Sequence, residues 1–252
     1  MYKISEEIQF IGRQVISLPK CRSTNDMAAN MLKQNLLSDG SIIITDHQSS
    51  GRGQRGNTWN SEPNKNLTFS FVIKPSFITP VHNFHLNIIT SLALIEAVKQ
   101  PGFPKFKIKW PNDIMYDHHK LAGILIENSI QSKHIDNSII GIGLNVNQMN
   151  FDETYKATSL KTIFKKPFNT NDILNRILIQ FENTYFKLKN DGIEELKKKY
   201  ISYQYWINEE HTFKSSQTFE GIITGIDDFG HLEVIIDGKK QKFDSKEIKY
   251  IK

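Results

Sequence analysis

Along the chain the apolar positions switch between the two-residue repeat of a strand and the three-to-four-residue repeat of a helix. Ile8 to Leu18 reads as a strand, and Asn25 as the cap of a helix from Asp26 to about Leu36. Ser41 to Thr45 is a short β-rich run. Leu67 to Ile73 alternates apolar and polar residues ahead of Pro75, the pattern of a half-buried strand. Phe84 to Val98 carries apolar residues at helical spacing and stops before Pro101-Gly102. Strands are expected at Lys105 to Trp110, Leu121 to Glu127 and Ser138 to Val146, the last two mostly buried. Asn171 would cap a helix from Asp172 to about Lys189, and a more basic helix follows from Ile193 to Tyr200. Strands that first alternate with helices and then pair predict a mixed sheet with helices packed on it.

From about Tyr205 the texture changes. Short β-rich pieces at His211 to Phe213, Phe219 to Ile226, Leu232 to Ile236 and Gln241 to Phe243 are separated by the turn signals Asp228-Phe229-Gly230 and Asp237-Gly238. The expected organisation is a main domain over residues 1–204 and a small all-β domain over residues 205–252. With 252 residues, 38% of them hydrophobic, the chain is long enough to bury a real core. A net charge of +5 suits acidic partners, but the lysines are spread widely, as on a solvated surface. Cys21 is the only cysteine, so neither an intrachain disulfide nor a Cys-based zinc site can form. No run approaches the roughly 18 apolar residues of a membrane span, and residues 1–7 lack a secretory apolar core. A cytoplasmic protein without membrane contact is the expectation.

Five short blocks carry the chemistry. Gly51-Arg52-Gly53-Gln54-Arg55-Gly56, followed by Trp59, joins backbone that can approach an anion closely to two fork-shaped cationic side chains. By itself such a loop also fits a solvated surface turn. Ser23-Thr24-Asn25 offers small polar groups at a strand-to-helix junction, for a ligand head or for a plain N-cap. Gln48 leads into the Gly/Arg loop. In Lys109-Trp110-Pro111-Asn112-Asp113 the last three residues are good turn chemistry, which does not explain the Lys-Trp ahead of them. Lys120 stands at the mouth of an apolar strand in which Ala122-Gly123 leaves room beside the backbone. Gly141-Ile142-Gly143-Leu144-Asn145 is a glycine-spaced strand, suited to a close approach or to a bulge.

In this order and spacing the blocks, together with Ala157-Thr158-Ser159-Leu160, resemble those of the biotin–protein ligases, including the biotin–[acetyl-CoA-carboxylase] ligases, and the resemblance runs from about residue 8 through the β tail. It implies an α+β fold: a mixed β-sheet with flanking helices, of the class II aminoacyl-tRNA synthetase and biotin synthetase kind, plus a small C-terminal SH3-like β-barrel. It implies ATP-dependent conversion of biotin to biotinyl-5′-AMP, with Mg²⁺ accompanying ATP and no dedicated protein metal site. Biotin is then transferred to a lysine of a carrier domain, expected to be the biotin carboxyl carrier domain of acetyl-CoA carboxylase.

The implied biotin-binding residues are Ser23, Thr24, Asn25, Gln48, Gly51, Arg52, Gly53, Lys120, Gly123 and Gly143. Those for ATP are Arg55, Trp59, Asn112, Lys120, Asn145 and Ala157, and the catalytic set is Lys120, Arg52 and Asp113. Two positions depart from the usual Gly-Arg-Gly-Arg-Arg-Gly-Arg loop, Gln54 and Asn57 standing where the family carries basic residues. Because the pattern begins near Ile8, no helix-turn-helix and no operator DNA binding are expected. A homodimer through edge strands stays open. The rivals are a lipoate–protein ligase or octanoyltransferase of similar fold, a nucleic-acid binder using the basic surface, and an adaptor built on the tail. An octanoyltransferase wants a catalytic Cys, and Cys21 is not placed as one. The basic residues form no single stripe. An adaptor leaves the Lys-Trp-Pro-Asn-Asp block without purpose.

Overall fold

The computed structural model describes residues 2–152, 154 and 156–251; the side chain of Arg55 lies outside the described residues. The main sheet has seven strands: β1 (Val15–Leu18), β2 (Ile42–Thr45), β5 (Leu67–Ile73), β6 (Phe106–Lys109), β7 (Asp113–Tyr116), β8 (His119–Gln131) and β9 (His134–Leu144). They lie in the order β1-β2-β5-β9-β8-β7-β6. Only β1 and β2 run parallel, so the sheet is mixed as expected. Between β2 and β5 the Gly/Arg loop forms a separate ribbon of β3 (Gly51–Arg52) and β4 (Thr58–Trp59).

Helix α1 (Thr24–Lys33) covers one face of the sheet through Ala28, which packs with Ile43, Val72 and Ile139. The other face carries α2 (Phe84–Val98), and α4 (Thr170–Asp191) lies against α2, bringing Phe181 onto Phe71 with ring centroids 4.7 Å apart. Helix α5 (Glu194–Ser202) also packs on α2, and α3 (Leu160–Phe164) sets Phe164 beside Phe103 and Phe106. Because both faces are covered, β5 is buried along its whole length rather than half-buried. Its alternation separates two chemistries, not two exposures. Leu67, Phe69, Phe71 and Ile73 enter the main core, while Thr68 and Ser70 face polar partners.

The first strand is shorter than its apolar pattern suggests. Residues 9–11 do not pair in the sheet; the buried Glu182 carboxylate accepts the amides of Gln9, Phe10 and Ile11 at 2.7–2.8 Å. Helix α1 is capped by Ser23, whose hydroxyl accepts from the Asp26 amide, not by Asn25. Asn169, rather than Asn171, caps α4.

The tail forms a five-stranded antiparallel SH3-like sheet: β10 (Glu210–Lys214), β11 (Thr218–Ile226), β12 (Leu232–Ile236), β13 (Lys239–Phe243) and β14 (Lys249–Tyr250). Its order is β13-β12-β11-β10-β14. No helix among the described residues is long and apolar enough to cross a membrane.

Candidate active site

Two cavities meet at one end of the main sheet. The smaller, of about 100 Å³, is lined by residues between Ser23 and Gly143. The larger, of about 790 Å³, is lined by Lys109, Asn145, Gln148 and Ala157 and, from the tail, by Tyr205, Trp206, Tyr250 and Ile251. Asn57, Thr58, Trp59, Asp113 and Lys120 line both. At this junction Lys120 Nζ lies 2.7 Å from Asp113 Oδ1 and 5.7 Å from the centre of the Trp59 ring. In the antiparallel β7–β8 pair Asp113 stands opposite Gly123 and Lys120 opposite Met115, with a register shift between Ile114 and Met115, so the two side chains lie within reach across the short β7.

The smaller cavity is polar because four side chains are cross-braced at its end. Gln48 Oε1 accepts from the Thr24 amide at 2.8 Å and from the Thr24 hydroxyl at 3.1 Å. Ser70 Oγ sits 2.7 Å from both Thr24 Oγ1 and Asn25 Oδ1. The Asn25 amide donates to the Leu125 carbonyl and to Glu127 Oε2. With both amide hydrogens and its oxygen engaged, Asn25 acts as a brace, while Ser23, Thr24 and Gln48 keep bonding capacity toward the cavity. Ser70 escaped the sequence reading. Its signal was a small hydroxyl between Phe69 and Phe71 in a strand otherwise committed to the core.

The strand glycines admit side chains of this chain. A Cβ on Gly141 would lie 2.1 Å from Asn25 Oδ1, and one on Gly143 would lie 2.3 Å from the Trp59 ring. Gly123 faces Lys120 and Trp59 at 3.3–3.4 Å. Gly51 could not carry a Cβ either, because the Trp59 carbonyl and Gln48 lie within 2.4–2.7 Å of its place. At Gly123, Gly141 and Gly143 the close approach seen is that of the chain's own Trp59, Asn25 and Lys120 side chains.

Arg52 lines the smaller cavity, where it was expected, but its guanidinium is already paired with two carboxylates. Its Nε is 2.9 Å from Asp26 Oδ1 and its Nη2 is 2.6 Å from Glu127 Oε2. Both carboxylates escaped the sequence reading as site groups, and their pairing with Arg52 pins β3 to α1 and β8. Asn112 also differs: it lines the smaller cavity rather than the larger, and its amide donates to the Ile124 carbonyl at 2.7 Å. Gly53 and Gln54 line the smaller cavity and Gly56 and Asn57 the larger. Arg55 falls outside the described side chains. Lys109, set at the larger cavity and over the Tyr250 ring at 4.9 Å, was noted in its block but given no site role from sequence. Burial, together with nearby Lys120, holds its ammonium below the ordinary range against the opposing pull of Asp113.

A narrow polar cavity joined to a broad one, with a lysine and a carboxylate between, is the layout of an enzyme that brings two small ligands into contact. The chain belongs to the biotin/lipoate A/B protein ligase family, whose pattern matches residues 18–145. It is 30% identical over 243 residues to the bifunctional ligase/repressor BirA of Bacillus spizizenii, covering 91% of this chain and 74% of that protein. The corresponding protein of Bacillus subtilis is 29% identical over 216 residues, and this chain spans 66% of its length. The fold superimposes on the biotin protein ligase of Aquifex aeolicus, solved with biotin and ATP, with a TM-score of 0.80, 27% identity, 95% of this chain covered and 100% of the other.

Proposed function

We propose that this chain converts biotin and ATP to biotinyl-5′-AMP and pyrophosphate, then transfers the biotinyl group to a lysine of a carrier domain. The observation that carries the reading is the meeting of the two cavities at Lys120 and Asp113. The smaller cavity takes biotin, its ureido head on Ser23, Thr24 and Gln48. The larger takes ATP, with Trp59, Asn145 and Ala157 along its wall. Residues 1–204 carry the chemistry in this reading, and residues 205–252 are an appended unit.

In the first step a carboxylate oxygen of biotin attacks the α-phosphorus, and the bond to the bridging oxygen of pyrophosphate breaks. Two anions must approach. Lys120 stands between the cavities where its ammonium can meet both, and it needs no covalent enzyme intermediate. In the second step the neutral amine of the acceptor lysine attacks the acyl carbon, AMP leaves and the amine loses its remaining extra proton. Asp113 is the group at the junction that can orient or accept it. Trp59, carried by the ribbon, packs over Gly143 at the meeting of the two cavities, where its ring limits entry of water.

The residues fit the magnesium salt of ATP. Asn145 lines the larger cavity with a buried Oδ1 that has no hydrogen-bond partner, and Asp113 lies at the junction. Among the described residues no three His, Cys, Asp or Glu side chains cluster to hold a metal alone. Asn145 and Asp113 would hold it. When bound, the ion supplies neutralisation of phosphate charge.

The acceptor is proposed to be the biotin carboxyl carrier domain of acetyl-CoA carboxylase. Incubating such a domain with the protein, biotin and MgATP should add one biotinyl group to a single lysine, read by mass spectrometry. Modification of a lipoyl carrier domain instead, with lipoate or octanoate, would move the chain to the sister branch of its family.

A further inference from the structure

Three consecutive residues of one strand end touch the tail, each in a different way. Ile108 pairs by backbone, its amide donating to the Tyr203 carbonyl at 2.8 Å and its carbonyl accepting from Tyr205 at 2.9 Å. Lys109 lies over the Tyr250 ring. Trp110, 4% exposed, donates from Nε1 to the Gly230 carbonyl at 2.9 Å across 120 residues of chain. The next residues, Asn112 and Asp113, line the cavities.

The receiving turn is built to hold still. Asp227 Oδ1 accepts from the amides of Phe229 and His231, both at 2.9 Å, and Asp227 Oδ2 meets His231 Nδ1 at 2.9 Å and Lys242 Nζ at 3.2 Å. Gly230 has φ +88, and a Cβ there would lie 2.1 Å from Phe84 Cγ. The turn is therefore seated directly on Phe84 at the start of α2. The lining of the cavities is unequal. Tail residues line only the larger one, and the smaller is lined wholly by residues 23–143.

We infer that Trp110 is a positioning residue for the nucleotide: its indole bond to Gly230 sets the tail, and with it Tyr205, Trp206 and Tyr250, over the larger cavity while leaving the smaller one alone. This gives the Lys-Trp half of the Lys-Trp-Pro-Asn-Asp block a purpose that turn chemistry does not supply. One half grips the tail and the other presents Asn112 and Asp113. The inference rests on the reading that the larger cavity takes ATP.

The test compares Trp110→Phe, which keeps the ring and removes the donor, and Gly230→Ala, which collides with Phe84, with the unaltered protein. The KM for ATP is measured in biotin-dependent pyrophosphate release, and the Kd for biotin by calorimetry. One hydrogen bond corresponds to about a five-fold change. The expected result is a KM for ATP raised about five-fold or more in both variants, with the biotin Kd unchanged. An unchanged KM, or biotin binding weakened in parallel, overturns the inference, since a merely structural tryptophan would disturb both cavities alike. Failure of both variants to bind biotin at all assigns Trp110 to folding and overturns it too. If the unaltered protein shows no ATP dependence, the assignment of the larger cavity falls first, and that outcome is told apart by the unaltered protein alone.

Discussion

Among single residues, Arg52 shows best what a motif leaves unsaid. The Gly/Arg run announces an anion, yet the Arg52 guanidinium is already shared between Asp26 and Glu127. All three side chains are partly exposed, so each pair contributes only about 0.5–1 kcal/mol. Their use is to hold the β3–β4 ribbon down. Arg52→Ala should therefore speed release of preformed biotinyl-5′-AMP by roughly five-fold, by two weak pairs lost together. The check is a stopped-flow chase. An unchanged release rate with a collapsed rate of adenylate formation would return Arg52 to the phosphates. Lys120, Asp113, Thr24 and Gln48 were singled out through the resemblance of their blocks taken together, since each alone also fits a surface lysine, a turn acid, an N-cap or a loop amide; the fold sets all four around the cavities. Asp26, Glu127 and Ser70 were not. Each looks like ordinary surface or strand chemistry until the fold brings it to Arg52 or Asn25, and those contacts span up to 102 residues.

Elements whose ends are set by local chemistry could be read closely. Helix α2 ends at Val98, just ahead of the Pro101-Gly102 stop, and β12 spans Leu232–Ile236 as its pattern says. Where a distant side chain intervenes the pattern misleads. Residues 8–14 look like the start of β1, but the Glu182 carboxylate accepts the amides of Gln9, Phe10 and Ile11, which do not pair in the sheet. Strand β7 was missed because Asp113–Tyr116 is short and sits inside turn chemistry. Glu182→Ala leaves three amides without their acceptor, the Ile11 amide buried and the other two partly so, and should cost about 3 kcal/mol. Urea unfolding reads this directly. A loss under about 0.5 kcal/mol, the range of ordinary surface changes, would mean that water replaces the carboxylate.

On the scale of the whole molecule, a sheet-and-helix body and an SH3-like tail were both foreseen, but the coupling between them was not. It depends on Trp110, Gly230 and Asp227, which no spacing relates. Burial works against the Asp227 charge, but bonds from His231, Lys242 and the Phe229 amide prevail and bring its pKa to about 2 from an ordinary 3.8. A folded pKa below the unfolded one stabilises above the unfolded value, and the contribution fades as pH falls through the folded one. It amounts to about 2 kcal/mol above pH ~4, lost on the way to pH ~2. Asp227→Asn should flatten this acid limb in denaturant midpoints measured against pH; an identical limb in both proteins would place the acid sensitivity elsewhere.

The joined cavities are proposed to bring biotin and ATP together at Lys120 and Asp113. The most direct test is pyrophosphate release with biotin, lipoate or octanoate, each with and without MgATP. Release is expected only when biotin and MgATP are both present. No release with biotin, and release with lipoate or octanoate, would contradict this and overturn the roles given to Ser23, Thr24 and Gln48.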